Sequence, residues 1–447
     1  MIPPKPLARP DKVSLRQYLR LFRADILSAQ PARLYHAWMA EFRTPFFRSY
    51  LCNDPSLVAR VLNERPRDFP KSARIGEGLR PLLGQSVFVT NGADWERQRR
   101  IIDPAFAGGR LHHAAPGIWA AATAASQRLT EGEHDVEAPL SHAAADVIFR
   151  TLFSIPIEDA LAARVYTAFQ AYQRSQPLLN LAAFLPLPAW VPRPHRRATR
   201  ASAREIRALI GALCAARAGA IADGTAPDDL ATKIMTTADP QTGQTFTTAE
   251  MVDQVAIFFL AGHETSASAL SWALYLLATH PDMQERLADE VAVLPDPPAI
   301  SDLSRLRLTR DVFRETLRLY PPVPMMVREN ARPEIMRGRA VRPGAQIVIS
   351  PWHLHRHDRI WDNPDGFDPD RWSREDSKPS QRDGYLPFSA GPRVCTGAGF
   401  AMVEGVLMLA ALLRVWRFHP VEGKVPVPVA HLTVRSKAGI WLGITRR

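Results

Sequence analysis

The chain has 447 residues, 46% of them hydrophobic, and a net charge of +11. That composition supports a sizeable core, and no run of about 18 consecutive apolar residues is present to span a membrane. Cys52, Cys214 and Cys395 form no close pair and no Cys-x-x-Cys, which argues against a disulfide framework or a structural zinc site. The positive charge does not indicate nucleic acid, because no basic tract is interleaved with aromatics. A basic face that steers an acidic partner, or a solvated arginine-rich surface, accounts for it. Met1-Ile2-Pro3-Pro4-Lys5-Pro6 lacks the apolar region of a secretory leader. The expectation is one soluble, cytoplasmic domain over 1–447, with 1–40 as an entry segment.

Residues 1–30 are expected to hold one short helix. From Phe46 to Val61 the pattern predicts a strand, a turn and a helix, with Pro55 in the first helical turn. Residues 71–92, with Gly76, Gly78, Gly84 and Gly92, read as loop. A helix follows over Trp95-Glu96-Arg97-Gln98-Arg99-Arg100, with Asp94 as its expected N-cap. Trp95 and Arg99 stand at i and i+4 and share a face. On the residues alone they are a stacked surface pair.

Residues 115–225 are helix-rich and carry no catalytic motif. Between Gln176 and Pro192 the chain is apolar and broken by Pro177, Pro186, Pro188 and Pro192, which rules out a continuous helix. Thr247 and Glu250 form a capping box, and Phe246 with Met251 fits a hydrophobic staple. The helix they open runs to Thr279, roughly 48 Å at 1.5 Å per residue. It is apolar on most sides and must be buried. In its middle lies Ala261-Gly262-His263-Glu264-Thr265-Ser266. A mid-helix glycine and adjacent buried polar groups both cost stability, a conflict expected at functional places. The alternative is a kink eased by Thr265 bonding back to the preceding turn.

Glu315 and Arg318 sit at i, i+3 near the end of a helix closed by Tyr320-Pro321-Pro322. A surface pair of this kind contributes little. Pro322 to Arg328 is extended, and Gly344 to Ser350 is a strand. His353, His355 and His357 alternate; only on a strand face would that suit a metal, and this is the lesser reading of the run. Residues 425–445 are strand-rich.

The most informative stretch is Phe388-Ser389-Ala390-Gly391-Pro392-Arg393-Val394-Cys395-Thr396-Gly397-Ala398-Gly399. Its glycines let the backbone turn tightly and approach a flat ligand. An apolar helix follows from Ala398 to Arg414, so Cys395 stands just before a helix N-terminus, where a thiolate is favoured. A lone thiolate on a rigid loop can be an axial ligand to haem iron. The alternative is a buried cysteine in a glycine-rich turn.

Phe-x-x-Gly-x-Arg-x-Cys-x-Gly, matched by Phe388, Gly391, Arg393, Cys395 and Gly397, resembles the haem-binding loop of the cytochrome P450 family, the haem-thiolate monooxygenases. Four ordered motifs precede it: Trp95-x-x-x-Arg99, Ala261-Gly262-x-Glu264-Thr265, Glu315-x-x-Arg318, and Phe367-x-Pro369-x-Arg371. The resemblance covers residues 45–445. It implies a mainly α fold with a small β region, a long central helix over haem b, and no fused reductase domain.

It further implies Cys395 as the iron ligand. Phe388, Arg393, Gly397, Trp95, Arg99, Arg328, His355, Ala261 and Gly262 would border or hold the haem. Glu264 and Thr265 would relay protons during the use of O2. Phe258, Ala261, Val323, Met325, Met326, Leu432 and Thr433 would line the substrate pocket, with Gln176–Pro192 as a lid or a packed loop. Glu315, Arg318 and Arg371 would form a structural network. His263 could ligate iron, though the family gives that position no such role. Electrons would come from a separate protein, expectedly a ferredoxin with its reductase docking near Arg97, Arg99 and Arg100. The substrate would be small and hydrophobic, without stable insertion of the enzyme in a membrane. The rivals are a peroxide-dependent or isomerase-type enzyme on the same haem, and a non-catalytic haem sensor or carrier.

Overall fold

The computed structural model describes residues 2–43, 48–175, 197–430 and 432–447. The expected lid, Gln176–Pro192, lies outside the described residues. Helices dominate. The N-terminal part contains α1 (Leu15–Ala24), α2 (Pro55–Ala59), α3 (Ala73–Leu83), α4 (Gly92–Ile102), α5 (Leu111–Arg128), α6 (Glu137–Leu152) and α7 (Ala160–Ser175). Then come α8 (Arg197–Ala222), α9 (Leu230–Thr236), α10 (Thr248–Ala278), α11 (Pro281–Ala292), α12 (Arg307–Leu319), α13 (Pro351–Leu354), α14 (Lys378–Gly384) and α15 (Ala398–Leu413). No described helix is long and apolar enough to cross a membrane.

The strands are short. One sheet joins β1 (Met39–Arg43), β2 (Arg48–Cys52), β7 (Gln346–Ile349) and β4 (Met326–Glu329), in that order. β2 and β7 run parallel; the other pairs are antiparallel. A second sheet has β3 (Gly132–Asp135), β11 (Trp441–Arg446) and β8 (Trp416–Pro420). Two hairpins complete the strands: β5 (Glu334–Met336) with β6 (Arg339–Val341), and β9 (Pro428–Ala430) with β10 (Val434–Ser436).

The α10 helix organises the rest. The capping box forms as expected: the Thr247 hydroxyl accepts from the Glu250 N–H at 3.2 Å, and Glu250 accepts from the Thr247 N–H at 2.8 Å. Its 31 residues pack on α6, α8, α12 and α15. Its first half, Met251 to Leu260, belongs to one apolar cluster with α7, α8 and α9. Its last half, Ala269 to Ala278, belongs to another with α5, α12 and α15. The polar stretch from Ala261 to Ser268 lies between these two clusters.

Two local expectations are corrected, and the lesser reading of the histidines is removed. Residues 71–92 are not loop, because α3 occupies Ala73–Leu83 and buries Leu82 and Leu83. Burial there overrides the low helix propensity of its glycines. Asp94 is not the N-cap. Asn91 holds that position, and Asp94 stands inside the first turn, where a negative charge favours the helix dipole. The alternating histidines are not on a strand: Ser350 and Pro351 start the short α13 instead, with the Ser350 hydroxyl accepting from the His353 N–H at 3.4 Å.

Candidate active site

Cys395 is held by a rigid loop. Its N–H donates to the Phe388 carbonyl at 2.9 Å, and the Val394 N–H donates to Gly391 at 3.0 Å. Ser389 and Gly391 adopt positive φ of 63° and 67°. The Phe388 ring is half-buried against the larger core cluster. Cys52 and Cys214 are buried, their thiols pushed up to about 12 by desolvation, as suits inert core residues. Cys395 alone of the three is exposed. Its thiol nevertheless sits deep among protein atoms, and burial raises its pKa. The Gly397 N–H and the nearby Arg99 offset this in part. A coordinating metal cation would hold such a thiol deprotonated.

In its middle, where it packs on α15, α10 changes character. Ala261 is exposed, and Gly262 and Thr265 are half-buried, in a helix whose other residues are almost all buried. The Thr265 hydroxyl donates back to the Ala261 carbonyl. A Cβ at Gly262 would lie 2.6 Å from Cδ1 of Ile148 on α6. Its small size serves helix packing. Phe258 is half-buried and meets Phe106 edge-on at 5.6 Å. Val323 and Leu432 are among the exposed large apolar residues, and Met325 and Met326 are half-buried.

Glu264 is turned away from Thr265. Thr433 donates to its Oε1 at 2.8 Å, Gln173 on α7 donates to its Oε2 at 3.2 Å, and Arg435 on β10 forms an ion pair with it. His263 is buried, and both its ring nitrogens are engaged: Nδ1 with the Phe259 carbonyl at 2.6 Å and Nε2 with Gln173 at 3.2 Å. It is therefore no free metal ligand. Ser266 reaches across to α15 and donates to Glu404 Oε2 at 2.7 Å. Burial pushes the Glu404 carboxyl up to about 8, against the partial offset of that bond. A carboxyl raised in the fold contributes stability that is fully present below its unfolded pKa and is lost as pH rises through about 8. Glu404→Gln is expected to flatten the decline in urea stability between pH 5 and 8. An unchanged pH slope would contradict this.

A cluster of cations stands beside Trp95. Arg393 lies 5.0 Å and Lys71 5.5 Å from its ring, and Arg99 6.0 Å. Arg328 sits on β4, opposite Ile347. Burial and the charges of Arg393, Arg328 and Arg99 push Lys71 down to about 6; burial, then Arg393, pushes Arg328 down to about 10. Nε of Arg328 and Nε of Arg393 are buried without a hydrogen-bond partner. Lys71 Nζ donates to the Val87 and Thr90 carbonyls, whereas Arg328 and Arg393 are desolvated with an unmatched donor each, which fits a ligand carrying carboxylates. With the accessible Cys395 sulfur, this donor set fits haem: one soft axial ligand and a cationic cradle for its propionates.

His355 does not belong to that cradle, contrary to expectation. It is fully buried, Nδ1 donates to the Arg318 carbonyl at 3.1 Å, and Nε2 accepts from the Leu386 N–H at 2.8 Å. Desolvation and Arg318 push its pKa to about 3, so it is neutral and has no donor to spare. His353 and His357 point elsewhere, to Ser350 and to the face of Trp38.

Behind the loop lies the buried ion network. Glu315 accepts from Arg318 at 2.8 and 3.0 Å and from Arg371 at 3.0 Å. All three side chains are almost completely buried. The pair read as a surface one from spacing is therefore a core element. Arg97, Arg99 and Arg100, expected as a basic docking face, each have an acidic partner: Glu250 at 2.6 Å, Asp103 at 2.9 Å and Asp239 at 2.6 Å.

Sequence reasoning missed Lys71, Gln173, Glu404 and Arg435. A charged residue inside the apolar run of α15 was a usable signal for Glu404. The other three are assembled only by tertiary structure.

The sequence model of the cytochrome P450 family matches residues 43–441. Cyclooctat-9-en-7-ol 5-monooxygenase of Streptomyces melanosporofaciens is 33% identical over 412 residues, covering 89% of this chain and 86% of that protein. Pentalenene oxygenase of Streptomyces avermitilis is 31% identical, covering 92% of this chain and 91% of that protein. The crystal structure of the cytochrome P450DA heme domain superposes with a TM-score of 0.83 at 23% identity, covering 100% of this chain and 98% of that one. The cysteine loop, the polar stretch of α10 and this match over most of the length lead to one conclusion: the chain belongs to the cytochrome P450 family.

Proposed function

We propose that Cys395 ligates haem iron, that Trp95, Arg99, Arg328, Arg393 and Lys71 hold its propionates, and that Glu264 and Thr265 handle protons. The enzyme class is haem-thiolate monooxygenase, drawing electrons from a separate redox protein. The observation that carries the site reading is the accessible Cys395 sulfur on a rigid loop beside unmatched buried cations. When bound, haem supplies the oxygen activation and C–H oxidation, consuming O2 and two electrons.

The chain supplies orientation and proton access. Ala261, Phe258, Val323, Met325, Met326 and Leu432 offer apolar contacts that exclude water and orient a hydrophobic substrate. Thr265 Oγ1 points its proton at the Ala261 carbonyl, leaving its lone pairs to accept another. Glu264 carries protons on its carboxylate after leaving Thr433 and Arg435. A hydrocarbon-rich substrate accords with relatives named for cyclooctat-9-en-7-ol and pentalenene. A ferredoxin is the proposed donor. Because Arg97, Arg99 and Arg100 are already paired, its docking rests on other basic residues.

Thr265→Ala tests the proton assignment. Product formed per electron consumed is expected to fall at least fivefold, with substrate affinity changed less than twofold. Unchanged coupling would remove Thr265 from the relay.

A further inference from the structure

The first helix carries a face that nothing in the active site uses. At 100° per residue, Arg16, Leu19, Arg20 and Arg23 of α1 fall within an arc of about 100°. All four are exposed, Leu19 by 41%. Tyr18, Leu21 and Phe22 lie on the other side and are half-buried. Among the described residues the three arginines have no acidic or hydrogen-bonding partner. Arginines elsewhere are commonly paired, as Arg286 is with Asp370 at 3.0 Å. The flanking acids do not neutralise the face. Asp11 faces Arg33 at 3.6 Å, and Asp25 is buried, accepting from the Leu27, Ser28 and Ala430 N–H groups.

The position of this face matters. Asp25 and Ile26, just after α1, are both hydrogen-bonded to Ala430 of β9, Ile26 N–H donating to its carbonyl at 3.0 Å. The β9–β10 hairpin carries Leu432 and Thr433 at its tip, and Thr433 touches Glu264. The basic helix is thus tied to an element that borders the active site.

We propose that the Arg16–Leu19–Arg20–Arg23 face of α1 docks the enzyme reversibly on an anionic lipid bilayer. Three uncompensated arginines match an anionic surface, and an exposed leucine at the edge of their arc suits the interface between headgroups and acyl chains. An acidic protein would match the same charge, and the test below separates it from a bilayer. Each arginine near such a surface contributes roughly fivefold in partitioning, so three contribute on the order of a hundredfold. Docking there would set the hairpin beside a phase that concentrates hydrophobic molecules. That benefit rests on the hydrophobic-substrate reading; the docking does not.

The test is sedimentation of the haem-loaded full chain with vesicles. Binding to 1:1 phosphatidylglycerol–phosphatidylcholine vesicles is expected to exceed binding to pure phosphatidylcholine at least tenfold, and to weaken with salt. The triple variant Arg16→Glu, Arg20→Glu, Arg23→Glu is expected to lose at least tenfold, and Leu19→Ser about threefold. A control of equal charge change, Arg307→Glu, Arg342→Glu, Arg382→Glu, is expected to retain most binding. Equal loss in the control would assign binding to net charge and overturn the proposal. Absence of vesicle binding, with α1-dependent binding of poly-glutamate, would overturn it in favour of an acidic protein. Neither result depends on turnover, so failure here leaves the monooxygenase reading intact.

Discussion

Glu315→Ala is expected to destabilise the protein by about 3–5 kcal/mol, the cost of leaving buried arginines without their carboxylate. Arg318 and Arg371 are both desolvated, and Glu315 also accepts the Asp368 N–H at 3.0 Å. The two guanidinium groups in turn anchor the chain between α13 and α14. Arg318 donates to the carbonyls of His355, Pro364 and Gly366 at 2.9, 2.6 and 2.7 Å, and Arg371 to those of Asp362 and Asn363 at 3.0 and 3.2 Å. Removing one carboxylate therefore loosens an entire loop. Since domains are stable by only about 5–15 kcal/mol, the variant should unfold at markedly lower urea and lose haem on purification. A loss below about 1 kcal/mol would show that water replaces the carboxylate and that the network does not hold the loop.

Gly391→Ala is expected to cut haem retention at least tenfold. The residue has φ of +67°, which costs an L-residue roughly 1–2 kcal/mol. Its Cβ would lie 2.1 Å from the Leu62 carbonyl oxygen and 2.8 Å from Asn63 Oδ1. Backbone must move, and the moving segment carries Arg393 and Cys395. Gly399→Ala is the matched control, because its Cβ would meet Leu111 at an ordinary 3.7 Å. Haem content of the purified variants separates the two. Normal loading of Gly391→Ala would mean that the loop tolerates displacement and is not the rigid cradle described.

Much of this site was legible in the sequence because its parts are local. The cap of α10 is set by residues three apart, and the cysteine loop by a dozen consecutive ones. Glu315 and Arg318 were recognisable, but their burial was not: spacing gives adjacency on a helix and says nothing of what covers it. Residues 71–92 misled because glycine marks loops on average, whereas Gly76 and Gly78 sit in a helix fixed by the burial of Leu82 and Leu83. Glu264 was found, but its arrangement was not. Arg435, Thr433 and Gln173 come from elements about 90 to 170 residues away in sequence, and only folding brings them to its carboxylate. Lys71 was equally hidden, since the cations that depress it reside on β4, α4 and the cysteine loop.

The central claim is that Cys395 is the haem ligand. Its most direct test is the visible spectrum of the purified protein, reduced with dithionite and exposed to carbon monoxide. A strongly red-shifted Soret band, abolished in Cys395→His, is the predicted result. An unshifted band in folded, haem-loaded wild-type protein would mean ligation by histidine or a neutral thiol and would contradict the account.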